Sequence, residues 1–327
     1  MGMQTNLAAA VVEAADSGVP EFDRPVPRDG YAWWYVDAIS DDGRHAITLI
    51  AFIGSVFSPY YAWARRSGPA DPENHCSLNV ALYGESHTRW AMTERGRAAL
   101  RRDAATLQIG RSALQWSPGG LTVQIHEWAV PLPRPVRGTV KLYPEAQPRR
   151  SYAIHPEGRH RWTPLAPIAR VEVDLPSPGL RWSGTGYLDM NTGAQPLERD
   201  FVRWDWSCAR TRDGAAVLYD VTPRQGPEMC LGARFGRDGS ATGFAPPPRV
   251  KLPRTLWQVP RSIRAEDNMA HVRRTFEDTP FYARSEVASV LGGEGVLAMH
   301  ESLALDRFKS GVVQAMLPFR MPRLRGA

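Results

Sequence analysis

The side chains best suited to acid–base chemistry lie in two stretches of the sequence. Tyr187, Asp189 and Asn191 occupy alternate positions, which would place them on one face of an extended strand. Upstream, His160 and Trp162 are separated by a single residue in a segment rich in histidine and arginine. A carboxyl group, an imidazole and aromatic groups beside an apolar pocket can donate, accept and direct a proton. The sequence therefore predicts an acid–base site.

Structural roles for the same residues stay open at this point. Asn191-Thr192-Gly193 is a favourable turn sequence, so the alternating tract could serve a hairpin. The segment around His160 could be a polar loop between domains. His155 and His160 lie five residues apart, but no third ligand follows at a recognisable spacing, so no metal site is predicted. Nucleophile elbows and glycine-rich phosphate loops are missing from the sequence as well.

The elements that must position these side chains are β strands. Short runs of β-branched and aromatic residues alternate with Pro, Gly, Asn and Asp turns. The predicted strands cover 30–57 as a long hairpin, then 75–83, 113–116, 121–130, 138–143, 169–175, 181–188, 201–208, 215–221 and 228–235. Only residues 95–105 have a brief helical pattern. Strands at this spacing predict an all-β fold of antiparallel barrel-like domains.

The domain organisation follows from the segment with the fewest strand signals, 143–167. A chain of 327 residues is long enough for two medium-sized domains. We therefore expect a flexible N-terminal tail over 1–25, a first β domain over 26–160 and a second over 161–327.

Composition narrows the choice of partners. The formal charge is +6, but the arginine pairs are scattered, so the sequence does not predict nucleic-acid binding. Diffuse positive charge fits contact with an anionic membrane surface. The longest apolar run, 46–56, falls short of the roughly 20 residues that a spanning helix needs. The cysteines at 76, 208 and 230 match no disulfide framework, which indicates a reducing compartment.

Three long segments give the chain a family resemblance over nearly its whole length. They are VPRDGYAWWYVDAISDDGRHAITLIAFIGSVFSPYYAWARR at 26–66, HCSLNVALYG at 75–84 and GTGYLDMNTGAQPLERDFVRWDWSCAR at 184–210. In these segments the sequence resembles the carotenoid 1,2-hydratases, also called hydroxyneurosporene synthases. The resemblance implies two lipocalin-like antiparallel β-barrel domains. It also implies addition of water to the terminal isopropylidene double bond of an acyclic carotenoid such as neurosporene or lycopene.

The family pattern also implies roles for four residues, His160 and Trp162 at H-x-W and Tyr187 and Asp189 at Y-x-D. Hydration of an unactivated alkene needs a strong acid, and a desolvated carboxylic acid can stay protonated near neutral pH. Asp189 is the predicted acid, and His160 would position the water or accept its proton. Trp162 and Tyr187 would face the cation, since an aromatic face stabilises a desolvated cation by roughly 2 kcal/mol at best.

Other residues complete these expectations. The carboxylates that compete for the acid role are Asp37, Asp205 and Asp220, of which Asp205 is expected to be an outer ion-pair residue beside Arg203. The aromatic residues expected to bind substrate are Trp34, Tyr60, Trp182, Trp204 and Trp206.

The reaction would need no cofactor. Its partners would be the acyclic carotenoid and water, with peripheral contact on the cytoplasmic side of the inner or intracytoplasmic membrane. A lipocalin-like carrier of a hydrophobic ligand and a terpenoid cyclase remain the alternatives.

Overall fold

Antiparallel strands make up most of the structure, a computed structural model that describes residues 13–84 and 88–323. The strands are β1 (Glu13–Ala15), β2 (Tyr31–Ser40), β3 (Ala46–Ile53), β4 (Cys76–Tyr83), β5 (Arg89–Met92), β6 (Leu100–Arg102), β7 (Thr106–Ile109), β8 (Ser112–Ser117), β9 (Gly120–Trp128), β10 (Pro135–Ala146), β11 (Arg150–Ala153), β12 (His160–Ser177), β13 (Leu180–Gly193), β14 (Phe201–Thr211), β15 (Gly214–Pro223), β16 (Met229–Gly236), β17 (Ala241–Gly243), β18 (Arg249–Leu252), β19 (Arg261–Arg264), β20 (Ala270–Asp278), β21 (Tyr282–Leu291) and β22 (Glu294–Ala304). The helices are α1 (Pro59–Ala64), α2 (Leu197–Asp200), α3 (Leu305–Phe308) and α4 (Gly311–Met316), with 3₁₀ turns at Arg65–Ser67, Pro72–Asn74, Arg97–Ala99, Glu266–Asn268 and Leu317–Phe319. The prediction of an all-β fold is confirmed.

The chain forms two compact units. The larger unit takes the described residues within 15–151, 162–196 and 314–323, and the smaller unit takes those within 13–14, 152–161 and 197–313. No helix among the described residues is long and apolar enough to cross a bilayer.

One antiparallel sheet dominates the larger unit. Its strand order is β5-β4-β3-β2-β13-β12-β10-β9-β8-β7-β6. A single aliphatic core includes side chains from β2, β3 and β4 and also from β7 to β10 and β12. Strands near the two ends of this order contribute side chains to the same core, so the sheet curves around it.

Alternation along β2 and β13 gives this part of the sheet two chemically different faces. Trp34 and Val36 of β2 join Leu188 and Met190 of β13 in the aliphatic core. The intervening residues of both strands lie on the other face, since successive strand side chains point to opposite sides. That second face carries tyrosine, tryptophan and carboxyl side chains, and it too is mostly buried.

The smaller unit contains a seven-stranded antiparallel sheet of order β17-β16-β15-β14-β22-β21-β20 and a separate β18–β19 hairpin. Its aliphatic core includes Leu218, Val287 and Ala298 of the sheet and Leu252 and Ile263 of the hairpin. The hairpin therefore packs on the inner face of the sheet.

Some predicted elements differ from the observed ones. The expected helix at 95–105 is a 3₁₀ turn at Arg97–Ala99 followed by β6. The segment 143–167 was expected to be the least strand-like, yet it includes the first part of β12, the longest strand. Three strands after residue 269 were not predicted, although β21 and β22 flank a Gly292-Gly293 turn. Residue 191 pairs with Trp33 inside β13, so the hairpin-turn interpretation of Asn191-Thr192-Gly193 is wrong.

The predicted tail and domain boundary can be compared with the two compact units. Residues 1–12 of the expected tail lie outside the described residues, but Phe22 is fully buried against Trp34, so residues near it are packed. The boundary predicted between 160 and 161 falls beside the change of unit at Trp162. Residues 162–196 nevertheless belong to the larger unit, because β13 pairs with β2.

Candidate active site

Three of the predicted site residues form a hydrogen-bonded triad in the larger unit. Trp162 Nε1 donates to Asp189 Oδ2 at 2.8 Å and to Tyr187 Oη at 3.1 Å. Tyr187 Oη donates to the same carboxyl oxygen at 2.6 Å. The three side chains are buried, and Asp189 is only 2% exposed. Trp162 of the H-x-W motif and the Y-x-D motif lie on β12 and β13, which are neighbours in the sheet.

Aromatic rings surround the triad on the same face of the sheet. Tyr35 lies directly opposite Asp189 in the β2–β13 pair, and its ring makes an edge contact with that of Tyr187 at 6.1 Å. Further along β2, the Trp33 ring contacts Phe52 of β3 at 6.1 Å. The carboxyl group therefore lies among aromatic side chains, on the side of the sheet opposite to the aliphatic core.

Gly186 of β13 leaves space for a side chain of the neighbouring strand. A Cβ atom at Gly186 would lie 2.2 Å from Val171 Cγ2 of β12. A side chain there would have to displace Val171 in the aliphatic core, on the face of β13 opposite to Tyr187 and Asp189.

His160, the fourth predicted residue, belongs to the smaller unit and to a different hydrogen-bond chain. Its Nε2 lies 2.8 Å from Asp200 Oδ2, and Arg159 contacts both oxygens of that carboxylate at 3.0 and 3.1 Å. Because a carboxylate only accepts hydrogen bonds, Nε2 carries the imidazole proton. The His160 ring also packs on Phe201, with the ring centres 4.7 Å apart.

Burial and charge set the protonation of this pair. Burial lowers the pKa of His160, although the Asp200 carboxylate partly opposes the effect. Burial alone would raise the pKa of Asp200, but hydrogen bonds from His160 and Arg159 outweigh it and lower the pKa to about 2. At neutral pH, Asp200 is therefore ionised and His160 is a neutral imidazole.

The competing carboxylates have other surroundings. Asp205 does pair with Arg203, at 2.7 Å, but it is buried on the inner face of the smaller sheet rather than outside. Burial raises its pKa to about 6 against the opposing effect of Arg203. Asp220 is ion-paired with Arg264, and this contact keeps its pKa low despite burial. Asp37 lies on the face of the triad, opposite Tyr187.

The aromatic residues expected to bind substrate are dispersed. Trp34 donates its Nε1 hydrogen to Pro20 O in the aliphatic core, and Trp182 packs against the same core, so both lie on the face opposite to Asp189. Trp204 and Trp206 are buried on β14 of the smaller unit. Tyr60, in α1, makes an edge contact with Trp63.

Several neighbours of these residues were not predicted from the sequence. Tyr35 and Trp33 were part of a predicted strand but were not assigned to the site, although YAWWYVD alternates aromatic and carboxyl groups with apolar ones. That alternation was the available signal. The contact of His160 with Asp200 joins residues 40 positions apart and had no local signal.

The sequence is similar to those of one protein family and of two of its named members. The family profile described as carotenoid hydratase CrtC matches residues 49–327. An acyclic carotenoid 1,2-hydratase from Thiocapsa roseopersicina is 55% identical over 94% of this chain and 76% of its own length. Another from Rubrivivax gelatinosus is 52% identical over the same shares of the two chains.

A solved structure shares the fold. A putative AttH from Nitrosomonas europaea superimposes with a TM-score of 0.56 at 16% identity, covering 85% of this chain and 92% of its own. This likeness supports the predicted lipocalin-like antiparallel fold and says nothing about activity. The profile match over most of the sequence and the two relatives above 50% identity show that the chain belongs to the carotenoid hydratase CrtC family.

Proposed function

We propose that this chain is a hydro-lyase that adds water across the terminal 1,2 double bond of an acyclic carotenoid. Membership of the family and the names of the two close relatives support this reaction. The observation that carries the chemistry is the buried Asp189 carboxyl group, whose Oδ2 accepts hydrogen bonds from Trp162 and Tyr187.

The indole of Trp162 and the phenol of Tyr187, which donate to Asp189, are both uncharged groups. An arginine favours the ionised carboxylate, whereas burial favours the protonated acid. Because Oδ2 accepts both hydrogen bonds, we assign the transferable proton to Oδ1.

In the first step, the O–H bond of Asp189 breaks as a C–H bond forms at the less substituted carbon of the double bond. The dimethyl carbon then carries the positive charge, and Asp189 becomes a carboxylate. The rings of Tyr35 and Tyr187 lie beside the carboxyl group and stabilise this cation, each by up to about 2 kcal/mol when desolvated. Trp162 and Tyr187 also hold the carboxyl group in one orientation.

In the second step, a water oxygen bonds to the dimethyl carbon, and the resulting oxonium loses one proton. The product is a tertiary alcohol, and return of one proton to Asp189 completes the cycle. The role carried over from the family to His160, positioning the water or accepting its proton, remains a prediction. Its neutral state at pH 7 is the state that such a base requires.

Incubation with lycopene in heavy water enriched in oxygen-18, followed by chromatography and mass spectrometry, tests the proposal. We expect a tertiary alcohol with one labelled oxygen and one deuterium on the adjacent carbon. Recovery of unchanged lycopene bound to the protein would indicate a carrier. An isomer without added oxygen would indicate a cyclase, and either result would overturn the proposal.

A further inference from the structure

We propose that the larger unit docks on an anionic lipid bilayer through an apolar rim formed by Trp63, Leu132, Met316 and Phe319. These apolar side chains are 37%, 64%, 40% and 79% exposed, respectively. Exposed aromatic and aliphatic groups on short helices and loops are suited to insertion between lipid headgroups. The inference rests on the proposed function in one respect, since a carotenoid hydrocarbon would be delivered from the bilayer.

Three contacts connect the segments that carry the apolar rim. Arg66, in the 3₁₀ turn that follows α1, donates to Gln314 Oε1 of α4 at 2.8 Å. The guanidinium of Arg320 lies 4.4 Å from the centre of the Trp90 ring. The carbonyl of Trp90 accepts a hydrogen bond at 2.9 Å from the amide of Val130, in the loop between β9 and β10. All three segments therefore lie along one edge of the larger unit.

The charge of these segments fits an anionic surface. Residues 57–68, 128–137 and 314–323 contain no aspartate or glutamate, although each segment contains arginine. Arg66 and Arg320 are exposed within them. Basic side chains beside inserted apolar groups add electrostatic attraction to anionic lipid headgroups. The composition of the rim therefore favours a lipid bilayer as its binding partner.

Aromatic rings connect the rim with the face that carries Asp189. On that face, Trp33 and Tyr35 are neighbouring side chains of β2, and Trp33 contacts Phe52. The Phe52 ring contacts that of Phe57 at 6.1 Å, and Phe57 comes just before α1, the helix of Trp63. Ring contacts therefore link the aromatic side chains of this face to the segment that precedes α1.

Another exposed apolar loop, at Leu256 and Trp257 of the smaller unit, provides a matched control. Leu256 is 95% exposed, more than any residue of the rim. The Trp257 amide donates to the Asp278 carboxylate and the Trp257 carbonyl accepts from Arg307, so this loop has both an acidic and a basic neighbour. Leu256→Ser removes as much exposed apolar surface as a change at Leu132, but outside the proposed docking surface.

The experiment is flotation of the full chain with carotenoid-free vesicles of phosphatidylcholine, with or without phosphatidylglycerol. We expect the wild type and Leu256→Ser to float with the anionic vesicles. Leu132→Ser/Phe319→Ser should partition at least about tenfold less, since two inserted side chains are lost. Arg66→Gln/Arg320→Gln should lose the preference for anionic over neutral vesicles.

Several results would overturn the proposal. They are failure of the wild type to bind anionic vesicles, equal binding by Leu132→Ser/Phe319→Ser, and loss of binding in Leu256→Ser. If light scattering shows that the wild type is a dimer and that Leu132→Ser/Phe319→Ser, the rim variant, is a monomer, the apolar rim binds a second copy of this chain instead of a bilayer. Hydration of lycopene in detergent micelles is measured separately and should be unchanged in the rim variant. A failure of the hydratase proposal is thereby distinguishable from a failure of the docking proposal.

Discussion

The triad predicts a specific coupling between Trp162 and Tyr187. Trp162→Phe removes the two hydrogen bonds that the indole donates within the triad, and Tyr187→Phe removes the two that involve its hydroxyl group. The double variant removes three bonds rather than four, because the bond between the two side chains is shared. At about 1 kcal/mol per bond, each single change should destabilise the fold by about 2 kcal/mol and the double change by about 3 kcal/mol. The expected coupling energy is therefore about 1 kcal/mol.

Denaturant unfolding of the four proteins measures this coupling, and lycopene turnover measured in parallel gives the effect on the reaction. The smaller ring in Trp162→Phe adds a packing cost, but that cost cancels in the cycle. We expect turnover to fall at least about tenfold in each single variant, because the carboxyl group loses orientation. Strictly additive stabilities together with wild-type turnover would refute the triad as the positioning device.

Three further predictions concern other parts of the molecule. Asp200→Asn should lower turnover at least about tenfold, with little change in KM, because the charge that holds His160 is removed. His300 is buried with a pKa of about 4 against 6.5 in a free residue, so its neutral form stabilises the fold above pH 6.5, and this stabilisation is lost as the pH falls towards 4. Between pH 7 and pH 4.5, the free energy of unfolding should therefore fall by about 2 kcal/mol less in His300→Gln than in the wild type, as measured by denaturant unfolding. Exhaustive chelation should leave lycopene turnover intact, and a requirement restored by one specific ion would contradict protonation by a protein acid.

Local sequence patterns were sufficient to predict the strands with strong alternation. The period-two pattern of YAWWYVDAIS gives β2 its two faces, and the same pattern places Tyr187, Asp189 and Asn191 on one side of β13. Strands β20 to β22 were missed, although β21 and β22 pair around a double-glycine turn. The pairing of β2 with β13 joins residues about 150 positions apart, so no local pattern could have predicted it.

Local sequence patterns predicted the site only in part. Alternation within β13 brought Tyr187 and Asp189 to one face, but the approach of Trp162 depends on the position of β12 beside β13 in the sheet. For Asp205, the local pattern predicted the ion pair but not the burial. Its separation from Trp204 and its pairing with Arg203 follow from alternation, whereas its burial depends on the β18–β19 hairpin, whose Ser262 hydroxyl donates to Asp205.

Comparison of Asp189→Asn with Asp205→Asn tests most directly whether Asp189 is the acid. The amide keeps the size of the side chain and an oxygen that can accept from Trp162 and Tyr187, but it has no transferable proton. Lycopene hydration should fall by roughly 10² to 10⁴ in Asp189→Asn and much less in Asp205→Asn. Thermal melting of both variants is recorded alongside, so that a folding defect is not mistaken for lost chemistry. Near wild-type turnover in Asp189→Asn with an unchanged melting temperature would contradict the assignment and direct the search to Asp37 and Asp205.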